Sequence, residues 1–553
     1  MGSSLLSGWG QYRALEGAHL VVHNAVFDVP FLKRAGCHPE KFSCTKVLSR
    51  LRFAGRDDVQ HHLGDVVKRH APDFADEVKA DKVDHEVWKQ PGDLPEHALR
   101  YAASDTKALL TVYDDELSVL DHVGMTEVAE LEERFLAVVV EASDAGMPID
   151  PERWGAVIDE AVARKRELAE QLDSFLPEDI EIPEKFLKAN AGRNDIGKIN
   201  WSSPEQKIWA VEALGLTVPT QWDHKNKEHR KTLDKNHLHE LDHPIAEGIR
   251  EYQAIANFPT TFSRAIKDRF DGKVVYPAWQ QIQARTGRMS CQNPPMHNMP
   301  KKSKLREAIV APEGYQLIAL DFSQIEPRVL AAISGDRALL EAFRAGKDIY
   351  KFVAGKVLGK PMSKVSDKMR SVFKTIVLGL IYGMSEYGLA LRVHRDIDSK
   401  IPFESIVEYR DGFFAAFPEA SKWREDLEAE YQAGSRQTRT ILGRRRLDVD
   451  NPRQRWNAPI QGTATDAFKL AAEHLYEYQD EVGGFRIVAL IHDEVVLLVP
   501  ADRIEKVQEW ARGVMEGAAS LVVNKRLPEN LHVPIIVDAG AGATLQDAKN
   551  AAA

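Results

Sequence analysis

Leu317-Ile318-Ala319-Leu320-Asp321-Phe322-Ser323-Gln324-Ile325-Glu326-Pro327-Arg328 is the stretch from which the fold is read. Four apolar residues run straight into an aspartate, the pattern of a short buried strand that ends in a carboxylate. Pro327 predicts the first position of a helix, where a missing N–H costs no hydrogen bond. The expected geometry is strand, exposed Asp321, tight turn and helix, which is a place able to hold a metal ion. One such aspartate alone is more often a solvated strand end, so its meaning depends on its company.

Arg486-Ile487-Val488-Ala489-Leu490-Ile491-His492-Asp493-Glu494-Val495-Val496-Leu497-Leu498-Val499-Pro500 contains two β-rich runs joined by His-Asp-Glu and predicts a hairpin with acidic residues at its bend. Carboxylates beside a core repel one another and lose solvation. Two of them on strand ends, Asp321 and Asp493, suggest shared divalent cations, since hard ions such as Mg²⁺ take carboxylate and phosphate oxygens. In Lys368–Gly383, residues four apart drift by only about 40° around a helix. Arg370, Lys374, Leu378 and Tyr382 therefore form one slanting stripe. Phe373, Ile376, Val377 and Leu380 fall on the core side, with Ile381 the exception. Two cations one turn apart, facing an acidic metal site, suit a triphosphate. Taken alone, this is an ordinary amphipathic helix.

Together the three stretches resemble the motifs of the family-A DNA polymerases, the group of bacterial DNA polymerase I. The matching elements are Asp321-Phe-Ser-Gln-Ile-Glu326, Arg370-x-x-x-Lys374-x-x-x-Leu378-Gly379-x-x-Tyr382-Gly383 and His492-Asp493-Glu494, in that order. The resemblance implies an α+β multidomain fold: a right-hand polymerase of palm, fingers and thumb, preceded by a partial ribonuclease H-like exonuclease domain. Its expected divisions are 1–122 for the exonuclease-like unit, 123–270 for palm entry and thumb, 271–340 for the first part of the palm, 341–452 for the fingers and 453–553 for the rest of the palm. It further implies template-directed addition of dNTPs to a primer 3′ end, in DNA replication or repair. Two Mg²⁺ ions, replaceable by Mn²⁺, would lie on Asp321 and Asp493, with Glu494 in support. Arg370 and Lys374 would hold the triphosphate, and Lys374 could protonate pyrophosphate. Gln324 and Tyr350 would also touch the nucleotide. Glu326, paired with Tyr382, would lie under the sugar and exclude a 2′-hydroxyl.

Primer-template DNA is the implied partner. In Arg285-Thr286-Gly287-Arg288, Arg288 takes the family role at the minor groove of the primer end, where similar acceptors on every pair let an arginine test shape without reading sequence. His492 would contact the primer terminus, and Asn457 and Gln461 the template–primer minor groove. Lys301, Lys302, Lys304 and Arg306 form a basic patch suited to the DNA backbone. Residues 431–457 hold seven arginines, Arg455 among them, against two aspartates, an excess that suggests phosphate contact. The thumb, 151–258, offers Lys198 with Asn200-Trp201-Ser202-Ser203, and the run Lys225, Lys227, Arg230, Lys231, Lys235, which reads equally well as a solvated loop. Val274–Trp279 predicts a strand, and a last helix plus strand is expected to close the palm.

In the first unit, Leu20-Val21-Val22 predicts a strand. Asn24 to Leu32 and Leu99 to Thr106 resemble two motifs of the four-carboxylate 3′–5′ exonucleases. Asp28 and Asp105 would be two of the four ligands, and Tyr101 would orient the attacking water. The Asp-x-Glu of the first motif is expected upstream of Asn24, where Glu16 is the only acidic residue. The chain thus reads as beginning inside that fold. Two-metal hydrolysis needs carboxylates for both ions, so weak or absent proofreading is expected.

Four departures from the family pattern stand out: Leu378 for an aromatic residue, Phe322 for Tyr, Tyr350 for His and His297 for Gln. Leu at 378 resembles phage-type members and predicts discrimination against dideoxynucleotides. Two rival readings stay open: an RNA polymerase or reverse transcriptase on the same palm, and an inactive DNA-binding scaffold. Glu326 with Tyr382 argues against the first, and intact Asp321, Lys374 and Asp493 against the second.

Bulk properties agree with this picture. A chain of 553 residues, 44% hydrophobic and 28% charged, is ordinary for a soluble protein of several domains. It has no apolar run of about 18 residues and no signal-peptide pattern. Cys37, Cys44 and Cys291 lack metal-ligand spacing and fit a reducing compartment. The expectation is a monomer without membrane attachment, in the cytoplasm of a bacterium or of a phage-infected host, with replisome partners unread. The net charge of −10 argues weakly against nucleic acid, but phosphates are neutralised by local patches.

Overall fold

The computed structural model describes residues 15, 17–54, 56, 58–74, 95–193, 197–223, 226–300 and 303–552, apart from the side chains of 264–267. Lys225, Lys301, Lys302 and Glu16 lie outside the described residues.

Strand β1 (His19–Val22) pairs in parallel with β2 (Lys41–Cys44) across helix α1 (Ala25–Arg34), because parallel neighbours need a crossover. Helix α2 (Glu96–Lys107) follows. Ala25 and Val29 of α1 pack on Leu136 and Val140 of α3 (Thr126–Ala145). Leu48 and Leu51 join the same buried cluster as the central sheet, so the first unit is fused to the body of the protein.

The segment expected as the thumb begins at α4 (Pro151–Asp173), where Asp150 caps the helix by accepting from the N–H groups of Glu152 and Arg153. Helix α5 (Pro204–Ala213), the hairpin β3 (Thr220–Asp223) with β4 (Glu228–Lys231), and α6 (Ile245–Ile255) complete it. Leu172, Trp201, Ile249 and Tyr252 form a core of its own. Tyr276-Pro277 divides the expected strand at 274–279 into Val274–Val275 and β5 (Ala278–Gln280), which pairs with β6 (Ser290–Gln292).

The central sheet contains β7 (Tyr315–Phe322), β8 (Arg486–Ile491), β9 (Glu494–Pro500) and β10 (Val537–Gly542), in the antiparallel order β8-β9-β7-β10. Leu317 to Leu320 are all buried. Both faces of β7 are covered, which is why its sequence runs apolar without alternation. After Phe322 the chain turns through Gln324, at φ 56°, into α7 (Ile325–Ser334). Pro327 is therefore the third helical residue, not the first. It costs nothing there, because the first four N–H groups of a helix have no acceptor within it.

Helix α8 (Ile349–Leu358) is capped by Asp348 and α9 (Asp367–Ile381) by Ser366. The expected core face of α9 is buried, and Ile381 is buried as well, because α10 (Glu386–Asp396) and α11 (Pro452–Glu477) also pack on this helix. Helices α11 and α12 (Ile504–Val523) pack against each other beside the sheet. The end of the chain differs from expectation by one element: after β10, α13 (Leu545–Ala552) packs back on β10 and β7.

Candidate active site

Asp321 stands opposite Glu494 on one side and Asp538 on the other. Residues directly opposite in a sheet share a face, so three carboxylates gather there. His492-Asp493 is the two-residue turn between β8 and β9, and His492 takes φ 60°, as such turns favour. The N–H of Phe322 donates to the Asp493 carbonyl at 3.4 Å and ties the turn to the strand end. Burial first, then the charges of Asp493 and Glu494, push the Asp321 carboxyl up to about 7, with Asp538 adding and Lys549 opposing. Lys549 of α13 lies 2.5 Å from Glu494 Oε2, and Glu494 Oε1 is buried without a hydrogen-bond partner. Asp321 and Glu494, crowded and desolvated, are carboxylates whose repulsion a divalent ion relieves. Among the described residues, no group of three or more His, Cys, Asp or Glu could hold an ion by itself.

Beside this centre, Arg288 pairs with Glu326. Both hydrogen-bond Tyr382, and the charge of Asp493 reaches both. Glu326 is nearly enclosed, its side chain 7% exposed against 41% for Arg288. Burial raises the Glu326 carboxyl while Arg288 pulls it down. Burial and the Glu326 charge push the Tyr382 phenol up to about 12, so it stays a donor. The end of α9 is pinned by α11: Trp456 Nε1 donates to the Leu380 carbonyl at 3.2 Å and Asn457 Nδ2 to the Tyr382 carbonyl at 3.1 Å. Asn457 Oδ1 is buried without a partner. Gln461 lies one turn further along α11, half-buried, and Leu378 one turn before Tyr382. Gln324 occupies the left-handed turn ahead of α7.

Arg370 Nε donates to Asp348 at 2.6 Å. Its guanidinium lies 5.5 Å from the centre of the Tyr350 ring, and Lys374 Nζ lies 5.9 Å away. Tyr350 is buried, and burial holds its phenol far above the usual range. It forms a floor beneath the two cations. His492 stacks on His297 at 4.8 Å. Its Nε2 lies 3.0 Å from the His297 carbonyl, and His297 Nε2 lies 2.8 Å from the Leu490 carbonyl. Burial lowers His297 to about 4.

Several basic residues assigned to DNA by sequence have other employment. Arg455 is buried, donating to the Ser435 carbonyl at 2.9 Å and pairing with Glu430. It pins a loop and offers DNA no surface. Arg444, from the same arginine-rich run, is enclosed by Glu132 and Asp466. Trp201 is a core residue whose Nε1 donates to Asp173. Lys304 pairs with Glu160 at 3.2 Å, and the Arg306 charge acts on Glu494. Of that patch, Lys304 therefore faces α4 and Arg306 the acidic centre. In the first unit, Tyr101 bonds Asp105 one turn away on α2, and Asp28 accepts from the Asn24 N–H. Burial raises both carboxyls.

Asp538 and Lys549 are site neighbours that the sequence reading does not assign, and His297, named there as a departure, and Asp348 carry no role in it; each reaches the centre through strand register or packing.

Residues 166–547 match the model of DNA polymerase family A, and residues 13–118 match that of a 3′–5′ exonuclease. The thermostable DNA polymerase I of Thermus aquaticus is 33% identical over 326 residues, 56% of this chain and 37% of that one. DNA polymerase I of Pseudomonas aeruginosa is 30% identical over 433 residues, 73% of this chain and 44% of that one. The chain thus spans less than half the length of either relative. The POL domain of Pol1 from M. smegmatis, solved in complex with DNA primer-template and dNTP, shares the fold with a TM-score of 0.79 at 24% identity, over 98% of this chain and 88% of that one. No helix among the described residues is long and apolar enough to cross a membrane.

Proposed function

This chain belongs to DNA polymerase family A, and from that premise we propose that it extends a DNA primer along a template from dNTPs. Family-A polymerases use divalent metal ions. The observation that carries the reading is Asp321, central in the sheet and raised to about 7, beside a turn whose Asp493 charge also reaches Arg288 and Glu326.

Asp321 and Asp493 would hold two Mg²⁺ ions. When bound, such ions lower the pKa of the primer 3′-hydroxyl and stabilise departing pyrophosphate. Glu494, engaged by Lys549, supports the site. Arg370 exchanges Asp348 for phosphate, and Lys374, exposed on the same stripe, grips the triphosphate and gives a proton to pyrophosphate. Enclosed Glu326, held by Tyr382, lies under the sugar and meets any 2′-hydroxyl. Arg288 has its outer edge free for the primer terminus. His492 touches that terminus, and Asn457 and Gln461 the minor groove. The divisions at 122, 270, 340 and 452 belong to this reading.

Extension of a primed template with Mg²⁺ and four dNTPs, beside Asp321→Asn, tests it. Extension abolished by the substitution is expected. Tight primer–template binding without extension by either protein favours a scaffold. Equal use of rATP and dATP overturns the role given to Glu326.

A further inference from the structure

We propose that Lys469, with Glu132 and Arg444, is the positioning group for Arg288: a buried charge knot that sets the turn from which Arg288 reaches the primer terminus. The proposal rests on the role given to Arg288 above.

Lys469, on α11, is fully buried. Its ammonium has three donors and spends all of them, on Glu132 Oε1 at 2.6 Å, the Gln281 carbonyl at 3.1 Å and the Gly287 carbonyl at 3.0 Å. The last bond is the informative one. The Gly287 carbonyl belongs to the peptide plane that leads into Arg288, and peptide planes do not twist. Anchoring that oxygen therefore sets the direction in which Arg288 leaves the turn.

The turn is gripped from a second side. Gly287 has φ +85°, and a Cβ there would come within 2.7 Å of Arg444 Cδ, so the arginine lies flat against it. Arg444 Nε donates to Asp466 at 2.7 Å and its Nη2 to Glu132 at 2.5 Å. Gln281 Nε2 donates to the carbonyl and to Oε2 of Glu132, both at 2.6 Å. Two cations and two carboxylates thus balance in a buried interior. The knot joins α3, the 440–446 segment and α11 to the 284–288 turn.

Such a knot is a poor source of stability, since apolar residues of similar volume often hold a core as well or better. What apolar residues cannot do is aim a carbonyl. The Gln283 and Ala284 N–H groups, 3.2 and 3.1 Å from the Arg288 carbonyl, close the turn in front. The Arg288 side chain then meets Glu326 and Tyr382.

The test is primer extension by the full chain from matched and 3′-mismatched primers. Lys469→Met alone leaves Glu132 short of a partner and can fail to fold. The informative variants are therefore Glu132→Gln/Lys469→Met, which keeps charge balance, and Gly287→Ala, which disturbs the turn with every charge in place. Each is expected to lower the matched-to-mismatched ratio by about tenfold, the worth of one misdirected hydrogen bond. Arg288→Ala should do the same, and adding either change to it should lower the ratio no further, as for residues acting through one another. A folded Glu132→Gln/Lys469→Met protein with the unaltered ratio, or effects that multiply with Arg288→Ala, overturns the proposal. Failure of the unaltered chain to extend any primer sinks the polymerase reading itself.

Discussion

Leu378 occupies the position on α9 one turn before Tyr382, where the family usually carries an aromatic residue. An aliphatic side chain has no hydroxyl to replace the bond lost with a missing 3′-OH. Leu378→Tyr is therefore expected to relax discrimination against dideoxynucleotides by about tenfold, the worth of one hydrogen bond. Competition between ddNTP and dNTP on one primer measures it. Asp321 carries a second prediction. Its carboxyl is raised to about 7 in the folded protein from 3.8, so the folded state holds this proton over a range where the unfolded chain has lost it. The stability it contributes is complete below the unfolded value and is lost as pH rises from there through about 7. A divalent ion takes the place of that proton, so Mg²⁺ should raise the melting temperature more at about pH 8 than at about pH 5.5. Asp321→Asn should flatten both trends in thermal unfolding.

At the scale of elements, the arginine-rich segment shows how charge density misleads. Seven arginines in 27 residues resemble a phosphate-binding strip, yet Arg444 and Arg455 turn inward, because Asp466 of α11, Glu132 of α3 and Glu430 of the helix Pro418–Gln432 bring carboxylates to them, and Ser435 a carbonyl. Arg455→Ala should lower unfolding free energy by about 2 kcal/mol, since its bonds tie Ser435 and Glu430 to the start of α11. The salt dependence of primer–template binding should not change with it. A reduced slope of log affinity against log salt would return Arg455 to the DNA surface. Helix α13 is the opposite case. Nothing in Leu545–Ala552 marks it as part of a site, but its return onto the sheet delivers Lys549 to Glu494.

Over the whole molecule, the 151–258 segment keeps a separate core, whereas the first unit has only a small one, around Val66, Val67, Ala71, Ala108 and Val112, and shares the rest with the body. Leu48 and Leu51 are buried with the central sheet. Removing residues 1–122 should cost the remaining chain about 4 kcal/mol by exposing the surface these two leucines cover. Calorimetry of the shortened chain checks this, and an unchanged melting temperature would show the first unit to be dispensable for stability.

What the sequence determined alone is local and periodic: the apolar run into Asp321, the hairpin bent at His492-Asp493, and the stripe of Arg370, Lys374, Leu378 and Tyr382. Each needs only backbone periodicity and turn chemistry to be legible. Tertiary structure alone decided which charges face solvent. Burial of Arg455, Arg444 and Lys469, the placing of Asp538 and Glu494 on either side of Asp321, and the stacking of His297 on His492 depend on partners tens to hundreds of residues away. Desolvation acts on the packed neighbourhood of a charge, and a residue's type does not record that neighbourhood.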